Sequence, residues 1–174
     1  MSIVNTKNAA KAVLVTAALT IAAGSVQAET PYVFTAIDTT IHGVDIVNGR
    51  YDRAIARIRK DGKADLNFSE STNLCIAYTY SGDVTNAKKS CDRAVKIARV
   101  TNGMPRFSSG WHAPSRMRAE DMDLVIALSN RSVVHATNGE YALAIEDLRE
   151  ADALKPQLRA VSQNLAMLTK VAAR

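Results

Sequence analysis

Aromatic residues are scarce in this 174-residue chain, at 5% of the sequence, and it has one Trp, four Pro and two Cys. This composition favours helices packed through Ala, Leu and Ile over a β-sheet core. The motifs of common catalytic sites are missing as well, since there is no GxSxG, HExxH, CxxC or phosphate-binding glycine loop. We therefore predict a non-enzymatic protein without a cofactor or bound metal.

The excess of positive charge is small. The formal net charge is +5, and it falls to +3 without Lys7 and Lys11, which belong to the N-terminal segment described next. So few charges, spread along the chain, are typical of an ordinary solvated surface. We expect no nucleic-acid partner.

The first 28 residues have the pattern of a secretory signal peptide. Lys7 and Lys11 precede an apolar run over 12–28, which ends in Val26-Gln27-Ala28, the small residues that a signal peptidase requires. A membrane anchor needs about 20 strongly apolar residues, and Thr, Gly, Ser and Gln dilute this run. We predict cleavage after Ala28, a periplasmic or secreted location, and no stable membrane span afterwards.

The remaining chain, 29–174, contains a repeat. Glycines recur at positions 49, 82 and 139, each between two stretches in which apolar residues lie three or four apart. A glycine suits the end of a helix, and Asp83 suits the start of the next one. Asparagines recur as well, at 73, 130 and 164. The second stretches carry small residues that allow close helix packing, namely Ala87, Ala94, Ala144 and Ala151.

This pattern resembles the tetratricopeptide repeat, most closely at Gly139, Tyr141, Ala144, Ala151 and Pro156. The resemblance implies an all-α fold of antiparallel helical hairpins, stacked as a short solenoid with a C-terminal capping helix. The predicted units cover about 36–62, 69–99 and 123–156, and the capping helix covers 157–174. The second unit departs from the family pattern, because position 71 is Ser rather than an aromatic residue and position 75 is Cys.

An insertion at about 100–118 interrupts the spacing between the second and third units. It carries Trp111, the only Trp of the chain, beside His112. Long loops are uncommon and often functional. An alternative function is therefore an envelope-associated enzyme or factor whose activity depends on Trp111 and His112. The other interpretation is a packed extension that lengthens the flanking helices.

Cys75 and Cys91 are the only cysteines. An even number in an exported protein usually forms disulfides, and this spacing fits neither a CxxC redox pair nor a metal site with one of the histidines. The resemblance places both cysteines on facing helices of one hairpin, so we expect a structural disulfide. Two buried free thiols are the alternative.

The resemblance also implies a binding function, because stacked hairpins hold a peptide or a helix on the concave face of their first helices. Asn73 and Asn130 stand where family members bind a peptide backbone, whereas the cations that clamp a terminal carboxylate are missing. We predict an exported adaptor, scaffold or assembly factor with a protein or peptide partner, and a homodimer is possible. The candidate peptide-binding residues are Thr72, Asn73, Ile76, Thr79, Tyr80, Ser129, Asn130, Val133 and Thr137.

Overall fold

The computed structural model describes residues 31–60, 65–103, 119–154 and 158–172. This part of the chain contains helices and no strand, so the predicted all-α class is confirmed. The predicted signal peptide, Trp111 and His112 lie outside the described residues. The helices are α1 (Ile41–Val47), α2 (Tyr51–Lys60), α3 (Phe68–Tyr80), α4 (Val84–Gly103), α5 (Ala119–Thr137), α6 (Tyr141–Leu154) and α7 (Arg159–Ala172).

Three tight turns join α1 to α2, α3 to α4 and α5 to α6 into hairpins. Their glycines, at 49, 82 and 139, have φ angles of 69°, 77° and 77°, which other residues rarely adopt. In each turn the amide that follows the glycine donates to a carbonyl five residues earlier, as from Asp83 to Tyr78 and from Glu140 to His135, both at 2.9 Å. The same helix-ending motif thus occurs three times.

Polar side chains fix where the helices begin. Asn67 and Glu70 exchange side-chain and backbone hydrogen bonds at the start of α3, in a capping box. The Asp83 carboxylate accepts from the Asn86 amide at 3.1 Å at the start of α4, as the sequence predicts. The Asn86 side chain also donates to this carboxylate, and these hydrogen bonds lower the pKa of Asp83.

The helices pack through small buried residues. Ala54, Ala87, Ala144 and Ala151 have no exposed surface, and their small side chains allow the paired helices to approach closely. The odd-numbered helices also contact one another in chain order, α1 with α3, α3 with α5 and α5 with α7. One face of the protein is therefore built from successive odd-numbered helices.

The predicted disulfide is confirmed. Cys75 on α3 and Cys91 on α4 are bonded, with their Cα atoms 4.9 Å apart. Both cysteines are buried beside Leu74, Tyr78 and Ala87. The bond joins the two helices of the second hairpin.

The observed helices differ from the predicted units at several boundaries. α4 continues to Gly103, so the first residues of the predicted insertion at 100–118 are helical. α5 begins at Ala119, a turn earlier than the predicted unit at 123. The first helix begins only at Ile41, whereas the first unit is predicted from about residue 36. Residues 31–40 are not helical, and they take a different place in the fold.

Candidate functional site

Three asparagines at equivalent places on α3, α5 and α7 hold one segment of the chain's own backbone. Asn73, Asn130 and Asn164 are at most 1% exposed, and we call them the asparagine ladder. Each amide side chain accepts from the N–H and donates to the C=O of a single residue in 31–38, which we call the N-terminal strap. The pairs follow, each with the distance from the backbone N to the asparagine Oδ1 and then the distance from the asparagine Nδ2 to the backbone O. They are Asn164 with Val33 (2.7 and 2.8 Å), Asn130 with Thr35 (2.8 and 2.9 Å) and Asn73 with Ile37 (3.1 and 3.0 Å).

The register of the strap is regular. The paired residues, Val33, Thr35 and Ile37, are two apart, as in an extended chain where every second residue directs its N–H and C=O to the same side. The strap runs against the order of the helices, since its start is bound by α7 and its end by α3. All six hydrogen bonds reach backbone atoms, so the ladder recognises an extended backbone without reading its side chains.

The alternate side chains of the strap provide apolar contacts. Tyr32, Phe34 and Ala36 pack against the buried cores, whereas Val33 is 38% exposed. The Phe34 ring lies 5.5 Å from the ring of Tyr80 on α3. Tyr80 in turn stacks on Tyr51 of α2, with the centroids 4.5 Å apart. These aromatic contacts define a side-chain position in the middle of the strap.

The end of the strap approaches α1 closely. Thr40 caps α1 by accepting from the Gly43 amide at 3.0 Å, and its hydroxyl oxygen also accepts from Asn73 Nδ2 at 3.2 Å. A Cβ atom at Gly43 would overlap the Ile37 carbonyl oxygen and would lie 2.8 Å from the Asp38 Cα. Gly43 is therefore required for the strap to lie this close to α1.

Most of the predicted peptide-binding residues lie beneath the strap or in the core. Thr72, Ile76, Ser129 and Val133 are buried together with Asn73 and Asn130. Thr79 and Tyr80 are half-buried, and Thr137 is exposed. The two threonine hydroxyls bond to their own helices, Thr79 to Cys75 O and Thr137 to Val134 O. The structure thus brings Asn73, Asn130 and Tyr80 to the strap and leaves Thr137 at the surface.

Two buried hydroxyls lie next to the ladder in sequence. The Thr72 and Ser129 oxygens form no hydrogen bond with any described residue. Each directly precedes a ladder asparagine, at equivalent places of α3 and α5.

Sequence reasoning missed Asn164 and the strap as parts of the site. Asn164 had a detectable signal, because it follows Asn130 by the same 34 residues that separate tetratricopeptide units. The strap had only a weak sequence signal, namely that Tyr32, Phe34 and Ala36 stand at every second position. Nothing in a short extended segment indicates which distant helices it will cover.

A second polar cluster joins α4, α5 and α6 away from the strap. The Glu140 carboxylate pairs with Lys88 Nζ and, at 2.7 Å, with His135 Nδ1. The hydrogen bonds from Lys88 and then from His135 lower the pKa of Glu140. Across the His135 ring, the Asp147 carboxylate lies 3.9 Å from Nε2. His135 is thus held between two carboxylates and belongs to a network that links helices.

The described residues include no group of three or more His, Cys, Asp or Glu side chains that could hold a metal ion. Within the same ranges, no helix combines the length and the apolar character needed to cross a bilayer. No family model matches the chain, and no curated protein or solved structure matches it either. The function is therefore inferred from the geometry of the ladder.

Proposed function

We propose that this protein is an exported interaction module of the tetratricopeptide type, which holds an extended segment of a partner protein on the asparagine ladder. Its helices would form a short solenoid whose concave face is built from α1, α3, α5 and α7. The three identical helix-ending turns and the side-by-side odd-numbered helices support this arrangement. The equivalent positions of the three asparagines support it as well.

The observation that carries the proposal is the six-bond pairing between the ladder and the strap. An extended chain of almost any sequence offers N–H and C=O groups at every second residue, so the ladder fits a peptide without requiring one sequence. Proline at a paired position is the exception, because it has no N–H. Each amide side chain is buried, and a buried amide without partners costs about 1–3 kcal/mol. Any chain that covers the ladder must therefore satisfy these amides, and an extended backbone does so at all three.

The cysteine pair supports an exported location. Disulfides persist in oxidising compartments such as a periplasm or the outside of a cell, and Cys75 and Cys91 are bonded. The signal-like pattern over residues 1–28 leads to the same location. The adaptor would therefore act on an exported or envelope protein.

A photo-crosslinking experiment in living cells tests the proposal. A photoreactive phenylalanine analogue replaces Tyr80, whose ring touches the strap, and in a control it replaces Leu143, which is 46% exposed on α6. We expect an adduct with another protein from position 80 but not from 143. The adduct should disappear when Asn73 and Asn130 are both changed to Asp. Equal adducts at both positions, or an adduct that survives the double change, would show that the ladder is not the working surface.

A further inference from the structure

We propose that the N-terminal strap is an internal competitor of the partner, and that the partner segment repeats the strap's side-chain pattern. This inference rests on the proposed function of the ladder. It adds the class of the ligand, an extended segment with apolar residues at alternate positions, and it adds the step that controls access. Binding of the partner requires the strap to leave first.

The strap fills the ladder in the manner of a ligand. It supplies one donor and one acceptor to each of the three buried amides. Its Tyr32, Phe34 and Ala36 side chains pack on the buried cores. A partner segment can restore the six hydrogen bonds one for one. Replacement of the strap by a partner therefore costs little in hydrogen bonding. Which of the two occupies the ladder depends on how well their side chains fit and on the tether that keeps the strap nearby.

The contacts of the strap define the side chains that a partner must present. At the position of Phe34 an aromatic ring meets Tyr80 at a centroid distance of 5.5 Å. At the position of Ala36 a small residue lies against the core that contains Ile46 and Ala77. At the position of Val33, which is 38% exposed, the side chain is free to vary. The expected partner segment has an aromatic residue followed two positions later by a small one.

The direction of the partner is fixed by the same contacts. Its N-terminal end lies on α7 and its C-terminal end on α3, as for the strap. If an extended chain is reversed while the same residues still direct their N–H and C=O groups to the ladder, its side chains turn to the opposite face. A retro-sequence peptide in the same register therefore cannot form the ladder bonds and the Tyr80 contact together.

Gly43 provides a way to open the ladder without changing it. The atoms nearest to a Cβ at position 43 belong to Ile37 and Asp38 of the strap itself. An alanine there clashes with the strap backbone. The substitution does not replace any of the ladder asparagines or Tyr80. A tether as short as Thr39–Thr40 holds the strap at an effective concentration of about millimolar. The Gly43→Ala clash disfavours the strap-bound state despite this tether, so it should tighten partner binding at least about tenfold.

The test uses the full chain, as processed by its own cell, in four forms: wild type, Gly43→Ala, Thr35→Pro and the control Val44→Ala. Thr35→Pro removes the N–H that Asn130 accepts, and Val44 is a half-exposed neighbour of Gly43. Amide hydrogen exchange at Val33 and Ile37 reports whether the strap is bound. Fluorescence polarisation measures the Kd of a labelled peptide with the sequence of residues 31–38. A second peptide carries Phe34→Asp.

We expect slow exchange in wild type and Val44→Ala, and fast exchange in Gly43→Ala and Thr35→Pro. The two opened variants should bind the peptide at least about tenfold more tightly than wild type, and none should bind the Phe34→Asp peptide. Equal affinity in all four proteins would overturn competition by the strap and leave the proposed function standing. Absence of binding in variants whose straps exchange fast would overturn the proposed function itself. Slow amide exchange in both Gly43→Ala and Thr35→Pro would disprove that these contacts hold the strap on the ladder. If the Phe34→Asp peptide bound as tightly as the unchanged peptide, the proposed side-chain pattern would be disproved.

Discussion

Arg131 on α5 and Asp147 on α6 form a two-point ion pair, with Nε 2.8 Å from Oδ2 and Nη2 2.6 Å from Oδ1. The Asp147 side chain is 6% exposed. Its hydrogen bonds are the main cause that raises the pKa of the Arg131 guanidinium. The third hairpin is thus held by a charge pair that water scarcely reaches.

Replacing Arg131 by Met should destabilise the protein by about 3–5 kcal/mol, because the buried Asp147 carboxylate loses both of its hydrogen bonds from Arg131. Urea denaturation measures the change in the free energy of unfolding. Arg131 also contacts Asp92, which is 63% exposed, so Asp92→Asn is the matched control and should cost less than about 1 kcal/mol. Similar losses in the two variants would show that burial of Asp147 does not dominate.

Acid should remove the contribution of Glu140 to the stability of the folded protein. Its pKa is lowered from 4.5 in the folded protein, so the stabilisation from its ion pairs is complete above pH 4.5 and disappears as the pH falls through the lower, folded value. Thermal denaturation between pH 7 and pH 3 measures the effect. At pH 7 the Tm of wild type should be higher than that of Glu140→Gln, and this difference in Tm should shrink below pH 4.5. The control is the Lys88→Met background, in which Glu140→Gln should lower the Tm by less than it does in wild type. A constant difference at all pH values would contradict the prediction.

Reduction of the Cys75–Cys91 bond should lower the free energy of unfolding by about 3 kcal/mol, as expected for a loop of about 15 residues. Guanidinium denaturation with and without a reducing agent measures this effect. The variant with both cysteines changed to Ala should lose more than reduction alone, because both sites are buried and the change leaves a cavity. Reduction of this variant is the control and should change nothing.

Gly139→Ala should cost about 1–2 kcal/mol, because φ is 77° there and an alanine Cβ disfavours the left-handed conformation. No atom lies within 4 Å of such a Cβ, so the loss is purely conformational. Gly139→Asn should cost less, since Asn adopts this conformation more readily. Chemical denaturation compares the two variants. An equal loss in both would mean that the turn is sensitive to something other than its φ angle.

Amide exchange along the strap should alternate in the wild-type protein. The N–H groups of Val33, Thr35 and Ile37 bond to the ladder, whereas those of Phe34 and Ala36 have no hydrogen-bond partner among the described residues. Exchange measured by NMR should therefore be slow at the odd positions and fast at the even ones. Asn130→Ala should speed exchange at Thr35 first. Uniform exchange along the strap would contradict this register.

Local signals in the sequence were enough to predict the helical class and the three hairpin turns. Gly49, Gly82 and Gly139 impose the left-handed turn within a few residues of the helices that they end. Small residues such as Ala87 and Ala144 mark the seams between the paired helices. The disulfide was predictable because a hairpin brings Cys75 and Cys91 face to face.

The strap was beyond the reach of such reasoning. Its stabilising partners lie 131, 95 and 36 residues away, and an extended segment has no local energetic signature of its own. For the same reason the predicted binding residues were placed on an open face, although Thr72, Ile76 and Val133 are buried. The end of α4 was missed because nothing from Val100 to Gly103 breaks a helix before the glycine itself.

The antiparallel course of the strap alters how the whole array responds to thermal fluctuation. In a simple stack each hairpin contacts only its neighbours, and the last helix frays independently of the first. Here Val33 is bonded to α7 and Ile37 to α3, so fraying at the C-terminal end also disrupts the strap. Unfolding should consequently be more cooperative than in an ordinary repeat protein. During synthesis the segment that emerges early cannot complete its bonds until α7, the last of the described helices, has been made.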